Sequence, residues 1–253
     1  MNALILAAGK GSRLKDMNIN HPKGMLNFLG KSIIEHQIEM YRSVGINEII
    51  IVRGYKKELI QFANVHFVDN ENYDSTNMIE SLMCARSYLN DDIIISYADI
   101  LFSKNCLHSL INNSHSIVVT VDSKWKQYWR QRYGSVDVDL ENLKIEDDHI
   151  VEIGQSMKTS NNIDYRYVGI NKFSKKGMQE FIKLYDKKKK LNDNWSSSNN
   201  NFLNGYITDM LQELINDKIL VKPNYIQNNW LEIDTPEDYE AAKKLYSKKE
   251  FQP

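Results

Sequence analysis

The sequence is short of three things that define other classes of protein: cysteine, net charge and long apolar segments. It has two cysteines, Cys84 and Cys106, and neither belongs to a C-x-x-C pair or lies beside a histidine cluster. Two isolated thiols suit a reducing cytosol, so we expect no disulfide. The formal net charge is −1, which argues against a protein that binds nucleic acid by general phosphate neutralisation.

No apolar run approaches the roughly 20 residues that a membrane-spanning helix needs. The apolar run near the N-terminus is too short for the core of a signal peptide, and no basic residue precedes it. We therefore expect a cytoplasmic protein without membrane contacts. With 253 residues and 42% apolar content, the chain can fill one large core, and we expect residues 1–253 to form a single domain. A homodimer is left open.

Apolar runs typical of strands alternate with helical patterns. The runs cover residues 3–6, 49–52, 65–68, 93–96 and 117–121, and the helical patterns between them include 33–44 and 78–89. This alternation predicts an α/β fold: a mixed, mainly parallel, Rossmann-like sheet with helices on both faces. Residues 136–145 and 149–154 alternate like a hairpin, and 165–171 returns to the sheet. We expect 122–170 to be a small, partly β excursion from the same domain.

The first strand candidate leads into a turn, A-A-G-K-G-S-R, that is typical of an anion site. Gly9 and Gly11 allow a ligand to touch the main chain, and successive free N–H groups in such a turn attract anions. Lys10, Arg13 and Lys23 add positive charge around it. The run matches neither the Walker loop nor the dinucleotide-binding fingerprint. A plain strand-to-helix turn with surface cations is the alternative, and a polyphosphate site is the functional interpretation.

Two carboxylates stand at places where a parallel sheet collects its ligands, beyond the carboxyl ends of strands. Asp99 follows the fourth apolar run, where a buried carboxylate needs a partner. Mg²⁺ is a natural partner beside a triphosphate, although Asp99 could also cap a helix. Asp234 lies in the run W-L-E-I-D-T-P-E-D, in which Thr235 and Pro236 are typical of a helix start and could alone explain the motif.

The segment that opens the excursion interleaves aromatic and basic side chains. Trp125 and Trp129 lie four residues apart, so a helix could bury both on one face. Alternatively, arginines could hold the phosphate of a small acceptor while rings contact its organic part. Both interpretations stay open and are compatible. The candidate acceptor-binding residues are Trp125, Trp129, Arg130, Arg132 and Tyr167.

The run L-A-A-G-x-G-x-R-L followed by Pro22 and Lys23 resembles the signature of nucleotidyltransferases that join a nucleoside triphosphate to a phosphorylated metabolite. Residues 15–18 depart from that family, which often has Pro-Leu-Thr there. The resemblance implies that Arg13, Lys23, Asp99 and Asp234 are catalytic, and that the two carboxylates bind one Mg²⁺. It implies nucleotide contacts for Leu6, Ala7, Ala8, Gly9, Gly11, Arg13, Lys23, Gly54, Tyr55, Asn77, Ser81 and Asp99.

The pattern T-N-M-x-x-S-L also resembles the base pocket of the cytidylyltransferases in that family, with Asn77 and Ser81 near the base or ribose. A helix cap at Ser75 or Thr76 is the structural alternative. The resemblance implies transfer of CMP from CTP to phosphoglutamine, phosphocholine or a phosphonate, with release of pyrophosphate, for capsule or lipid modification. Two alternatives remain: a sugar-1-phosphate nucleotidyltransferase that uses UTP or dTTP, and a non-catalytic nucleotide sensor. The presence of both carboxylates favours an enzyme.

Overall fold

A computed structural model of the chain describes residues 1–11, 13 and 21–247. Residues 15–18, where the sequence departs from the family pattern, lie outside the described residues, as do Ser12 and Leu14 of the N-terminal motif. The strands are β1 (Asn2–Ala7), β2 (Asn27–Phe28), β3 (Lys31–Ser32), β4 (Ile49–Arg53), β5 (His66–Asp69), β6 (Ile93–Tyr97), β7 (Ile100–Phe102), β8 (Ile117–Asp122), β9 (Leu140–Glu146), β10 (His149–Met157), β11 (Arg166–Phe173), β12 (Lys222–Ile226) and β13 (Trp230–Glu232).

The α-helices of the described residues also follow the sequence patterns, although one is shorter than expected. They are α1 (Ile33–Ser43), α2 (Met78–Cys84), α3 (Lys104–Asn112), α4 (Trp125–Tyr133), α5 (Lys175–Leu191), α6 (Ile207–Asn216) and α7 (Pro236–Ser247). Helix α2 was expected to run through residues 78–89 but ends at Cys84, and a 3-10 turn follows at Arg86–Tyr88. No helix in the described ranges is both long enough and apolar enough to span a membrane.

Seven strands form the central sheet in the spatial order β12-β8-β11-β6-β1-β4-β5. Neighbouring strands are parallel except at β11, which is antiparallel to both β6 and β8. Successive side chains enter opposite cores: Ile49 and Ile51 pack on one face, and Ile50 and Val52 on the other. Burial of both faces explains why these strands are continuous apolar runs. The predicted mixed, mainly parallel α/β sheet is confirmed.

The excursion between β8 and β11 consists of helix α4 and the antiparallel hairpin β9–β10. Asp147 and Asp148 at the hairpin turn both have positive φ, 46° and 60°. Two-residue hairpin turns of this kind need positive φ at both residues, because only then does the turn match the twist of the strands. Helix α4 packs against α7, and the hairpin packs against α6 and β12. The excursion is therefore held by the C-terminal part of the chain, and β11 returns it to the sheet.

Candidate active site

The loop that follows β4 packs against the glycine turn after β1. Tyr55 N–H donates to the Ala8 carbonyl at 3.1 Å. A Cβ atom on Gly54 would lie 2.7 Å from the Ala8 oxygen and 2.6 Å from the Tyr73 Cβ. Only glycine fits between them. Gly54 and Tyr55 therefore support the turn and are not among the described residues that line the cleft above it.

A cleft of about 280 Å³ opens above the turn, at the carboxyl ends of β1 and β6. Apart from its chain neighbours, no described residue has a heavy atom within 4 Å of a Cβ placed on Gly9, so none of them covers the backbone of the turn on this side. The lining residues are Leu6, Ala7, Ala8, Gly9, Gly11, Arg13, Lys23, Gly24, Tyr73, Thr76, Asn77, Met78, Ser81, Tyr97, Ala98, Asp99 and Asp234. All the predicted nucleotide-contacting residues except Gly54 and Tyr55 are in this set.

Asn77 and Ser81 lie at the start of α2, on the wall of the cleft. Asn77 is the N-cap residue, and its Oδ1 accepts the Met78 N–H at 2.9 Å. Ser81 Oγ accepts a hydrogen bond from Asn70 Nδ2 at 2.9 Å. The cap predicted at Ser75 or Thr76 is therefore wrong by one or two residues, because Asn77 is the residue that bonds the free N–H of the first turn. Contact of these two residues with a base stays a prediction.

Asp99 and Asp234 converge at the inner end of the cleft, where Lys23 contacts both. Lys23 Nζ lies 2.5 Å from Asp99 Oδ2 and also contacts Asp234 Oδ1, and Arg13 Nη2 lies 2.5 Å from Asp234 Oδ2. Burial lowers the pKa of Lys23, but the charges of Asp99 and Asp234 outweigh it, so the net shift is upward. The ammonium group therefore stays charged between the two carboxylates.

These two carboxylates fit the small number of protein ligands that Mg²⁺ takes beside substrate phosphates. Asp99 Oδ1 is buried and has no hydrogen-bond partner among the described residues. A buried carboxylate oxygen without a partner is costly, so this oxygen is suited to a ligand. Within the same ranges, no group of three or more His, Cys, Asp or Glu side chains could hold a metal alone. Asp99 and Asp234 would therefore supply only part of the coordination of a metal, and water or substrate phosphates would supply the rest.

A second cleft of about 350 Å³ meets the first at the carboxylate pair. Both clefts approach or fall within the size range of small-molecule sites. Its lining residues are Arg13, Met78, Tyr97, Asp99, Asp139, Glu141, Arg166, Tyr167, Val168, Gly169, Tyr206, Thr208, Trp230, Glu232 and Asp234. Two ligands, one in each cleft, could thus meet beside Asp99 and Asp234.

The second cleft contains only one of the predicted acceptor-binding residues, Tyr167. Its hydroxyl donates to the Tyr97 hydroxyl at 3.2 Å and accepts from Asn171 Nδ2 at 2.7 Å. The ring of Tyr97 fits here because Gly169 has no side chain: a Cβ there would lie 2.7 Å from the ring. Burial raises the pKa of both tyrosines, so both hydroxyls keep their protons.

The remaining acceptor predictions require correction. Trp125 and Trp129 have no exposed surface and belong to the core, and the side chain of Arg132 is fully buried. Arg130 is exposed but lines neither cleft. Helix α4 turns its aromatic face inward against α7 and β13, so these rings cannot contact an acceptor. The structural alternative, burial on one helical face, is the one the structure shows.

Charged residues that the sequence did not single out line the second cleft instead. Arg166 donates to the Asp139 carbonyl at 2.7 Å and stacks 4.6 Å from the centre of the Trp129 ring. No hydrogen bond from the described residues reaches the Glu141 carboxylate, and burial raises its pKa although Arg166 lowers it. Glu232 also lines this cleft. Of these charged residues, it alone lay in a run that the sequence had marked, W-x-E-I-D.

An open glycine turn, two converging carboxylates and two clefts that meet at them form the arrangement that a nucleotidyltransferase needs to bring its two substrates together. The sequence agrees: residues 3–141 match the model of the MobA-like NTP transferase domain family. The chain belongs to this family.

Individual relatives extend the similarity over the whole chain. The chain is 38% identical over 252 residues to the CTP:phosphoglutamine cytidylyltransferase of Campylobacter jejuni, which covers 95% of this chain and 98% of that protein. It is 33% identical over 144 residues to a choline-phosphate cytidylyltransferase of Streptococcus pneumoniae, 54% of this chain and 63% of that protein. Its fold is similar to that of a solved CTP:phosphocholine cytidylyltransferase from S. pneumoniae, with a TM-score of 0.72, 22% identity and coverage of 97% and 98% of the two chains.

Proposed function

We propose that this protein transfers CMP from CTP to a small phosphorylated acceptor and releases pyrophosphate, in a reaction that requires Mg²⁺. The observation that carries the proposal is the meeting of the two clefts at Asp99 and Asp234. One cleft begins at the glycine turn, and the other carries charged groups suited to a second substrate. The similarity to cytidylyltransferases over nearly the full chain supports CTP as the nucleotide.

In this proposal the chain acts by positioning and by neutralising charge. The backbone of the turn, Arg13 and Lys23 bind the triphosphate, and Asp99 and Asp234 are the residues that would hold Mg²⁺. When bound, Mg²⁺ supplies neutralisation of phosphate charge. An oxygen of the acceptor phosphate attacks the α-phosphorus of CTP in line. The bond between the α-phosphorus and the pyrophosphate oxygen breaks, and pyrophosphate leaves. No general base is required because the attacking oxygen is already anionic.

The charges of the second cleft favour an acceptor that carries a cationic nitrogen. Its wall includes the carboxylates of Asp139, Glu141 and Glu232, against the guanidinium of Arg166. An ammonium group can pair with Glu141, and Arg166 is suited to an acceptor carboxylate. Phosphoglutamine carries both groups, phosphocholine only the cation, and a sugar phosphate neither. We therefore propose phosphoglutamine first, in agreement with the relative that is 38% identical.

Pyrophosphate release with a matrix of nucleotides and acceptors tests this proposal. CTP, UTP, dTTP and ATP are each combined with phosphoglutamine, phosphocholine, aminoethylphosphonate and glucose 1-phosphate, with and without Mg²⁺. We expect the highest kcat/KM for CTP with phosphoglutamine, and no release without Mg²⁺. Preference for UTP or dTTP with glucose 1-phosphate would favour a sugar nucleotidyltransferase. Tight CTP binding without turnover on any acceptor would favour a sensor.

We extend the proposal to the organisation and setting of the enzyme. Residues 1–253 form a single nucleotidyltransferase domain, in which the excursion of residues 122–170 contributes the acceptor side through Asp139, Glu141 and Arg166. The enzyme acts in the cytoplasm, where two unpaired thiols stay reduced. Its product serves modification of a surface polysaccharide or lipid, which analysis of capsule composition in a deletion strain would test.

A further inference from the structure

Helix α4 is hydrogen-bonded to the segment that carries Asp234. The Tyr128 hydroxyl accepts the Glu232 N–H at 2.9 Å and donates to the Glu232 carbonyl at 3.2 Å. One side chain of α4 thus holds both backbone polar groups of a residue only two positions from Asp234. The same helix packs against α7, which begins directly after Asp234.

Arg132 of α4 uses all three guanidinium nitrogens on this segment. Its Nε and Nη2 each donate to one oxygen of Asp238 at 2.7 Å, and its Nη1 donates to Glu232 Oε2 at 2.6 Å. The side chains of Arg132 and Asp238 have no exposed surface. A bidentate arginine–carboxylate pair fixes direction as well as distance, so the carboxylate of Asp238 is held in one orientation.

Asp238 passes that orientation on to the backbone of Asp234. Its Oδ2 accepts the N–H groups of Asp234 and Thr235, each at 3.0 Å, while the Asp238 N–H donates to Thr235 Oγ1 at 3.2 Å. Contacts therefore run without a break from Arg132 through Asp238 to the residue whose carboxylate faces Asp99. The position of Asp234 at the junction of β13 and α7 is thus set from α4.

Stability and helix capping alone do not account for the buried arginine. Thr235 and Asp238 already form a reciprocal cap for α7, which needs no further partner. Burying an arginine with carboxylates is often no more stabilising than apolar packing of the same volume. The arginine does, however, restrict Asp238 and Glu232 on either side of Asp234.

We propose that Arg132 and Tyr128 are positioning residues that hold Asp234 in the orientation needed to bind the metal ion. This inference rests on the proposed function, because it concerns the metal site assigned there. It replaces the acceptor-binding role that the sequence suggested for Arg132. Removal of a group that orients a metal ligand commonly weakens metal affinity about 10- to 100-fold.

Binding of Mn²⁺ to the full-length enzyme with CTP, followed by electron paramagnetic resonance, tests the inference without using activity. Arg132→Lys keeps the charge but loses the bidentate geometry, and we expect the Mn²⁺ dissociation constant to rise about tenfold or more. Tyr128→Phe keeps the ring and loses two hydrogen bonds, and we expect a rise of about fivefold. Arg130→Lys, an exposed substitution on the same helix, is the matched control and should leave the affinity unchanged.

The outcomes separate the inference from the proposed function. Failure of the wild-type enzyme to bind Mn²⁺ in the presence of CTP would overturn the metal site of the proposed function, and this inference with it. Wild-type affinity in a folded Arg132→Lys variant would overturn the inference alone. If Arg132→Lys does not fold, Tyr128→Phe decides: weaker Mn²⁺ binding by a variant that is fully folded at the assay temperature supports positioning, and unchanged binding overturns it.

Discussion

Asp99 and Asp234 share one counter-ion, the ammonium group of Lys23. Two carboxylates that converge in a partly buried cleft repel each other unless positive charge lies between them. Lys23 and Arg13 supply that charge. The same cluster is therefore a stabilising contact and the proposed site of metal and phosphate binding.

Substitution of Lys23 should make the stability of the protein depend on metal. Lys23→Met removes the positive charge between the two carboxylates and leaves Arg13 as their remaining cation in the cluster. We therefore expect the free energy of unfolding, measured without metal, to fall by about 2 kcal/mol. This is less than a fully buried pair loses, because Arg13 remains and Asp99 is partly exposed. Mg²⁺ without nucleotide should raise the melting temperature more in the variant than in the wild type, because it can replace the lost ammonium charge between the two carboxylates. Equal shifts of the melting temperature in the variant and the wild type, measured by calorimetry, would contradict the shared role of Lys23. We also expect kcat/KM of the variant to be about 100-fold lower than that of the wild type.

Removal of either carboxylate charge should abolish turnover and leave a folded protein. Asp99→Asn and Asp234→Asn keep the side-chain shape but remove a charged metal ligand, and we expect kcat to fall about 100-fold or more. Pyrophosphate release and circular dichroism measure the two effects. Asp164→Asn, at an exposed position outside both clefts, is the control. Near-normal turnover in both site variants would rule out the metal assignment.

Trp129→Ala should reduce stability, because its ring belongs to the core and not to the wall of a cleft. The ring is fully buried, its Nε1 donates to the Val138 carbonyl at 2.8 Å, and the guanidinium of Arg132 lies 4.8 Å from its centre. We expect a loss of about 3–5 kcal/mol in urea unfolding, typical of a deleted core aromatic. A variant of unchanged stability with a raised KM for the acceptor alone would contradict burial in the core and restore the acceptor role that the sequence suggested.

Two glycines of the site should respond differently to alanine. Gly54→Ala places a Cβ against the Ala8 carbonyl and Tyr73, so we expect both lower stability and weaker CTP binding. Gly9→Ala places its methyl group more than 4 Å from every described residue except its chain neighbours, so stability should hold while the methyl group obstructs the phosphates. Thermal unfolding and CTP titration separate the effects. Similar melting temperatures for the two variants would contradict the supporting role of Gly54.

The two thiols should differ in reactivity. Cys84 is exposed and Cys106 buried, and burial raises the pKa of Cys106 to about 12. The thiol of Cys106 therefore stays protonated at the pH values at which the native protein is assayed. It is unreactive there because the thiolate is the reactive form. We expect a disulfide reagent at pH 8 to modify one thiol per native chain and the second only in denaturant. Rapid modification of both would show that the α3 region opens readily.

The sequence predicted the fold class well because fully buried parallel strands are continuous apolar runs, and each such run became a strand. It did not predict that β11 enters the sheet antiparallel, since apolar content carries no direction. Asp99 and Asp234 could be predicted as a pair only through family resemblance. Their convergence on Lys23 depends on contacts between segments far apart in the chain, which local patterns do not encode.

The sequence by itself determined the alternation of strands and helices and the glycine turn, because those follow from local periodicity and from residue chemistry. The tertiary structure decided the use of the aromatic and basic helix α4. Its spacing allowed either an acceptor site or a buried face, and only the packing of α4 on α7 and β13 shows that Arg132 points inward. Burial is a property of what surrounds a side chain, and those surroundings come from the other end of the chain.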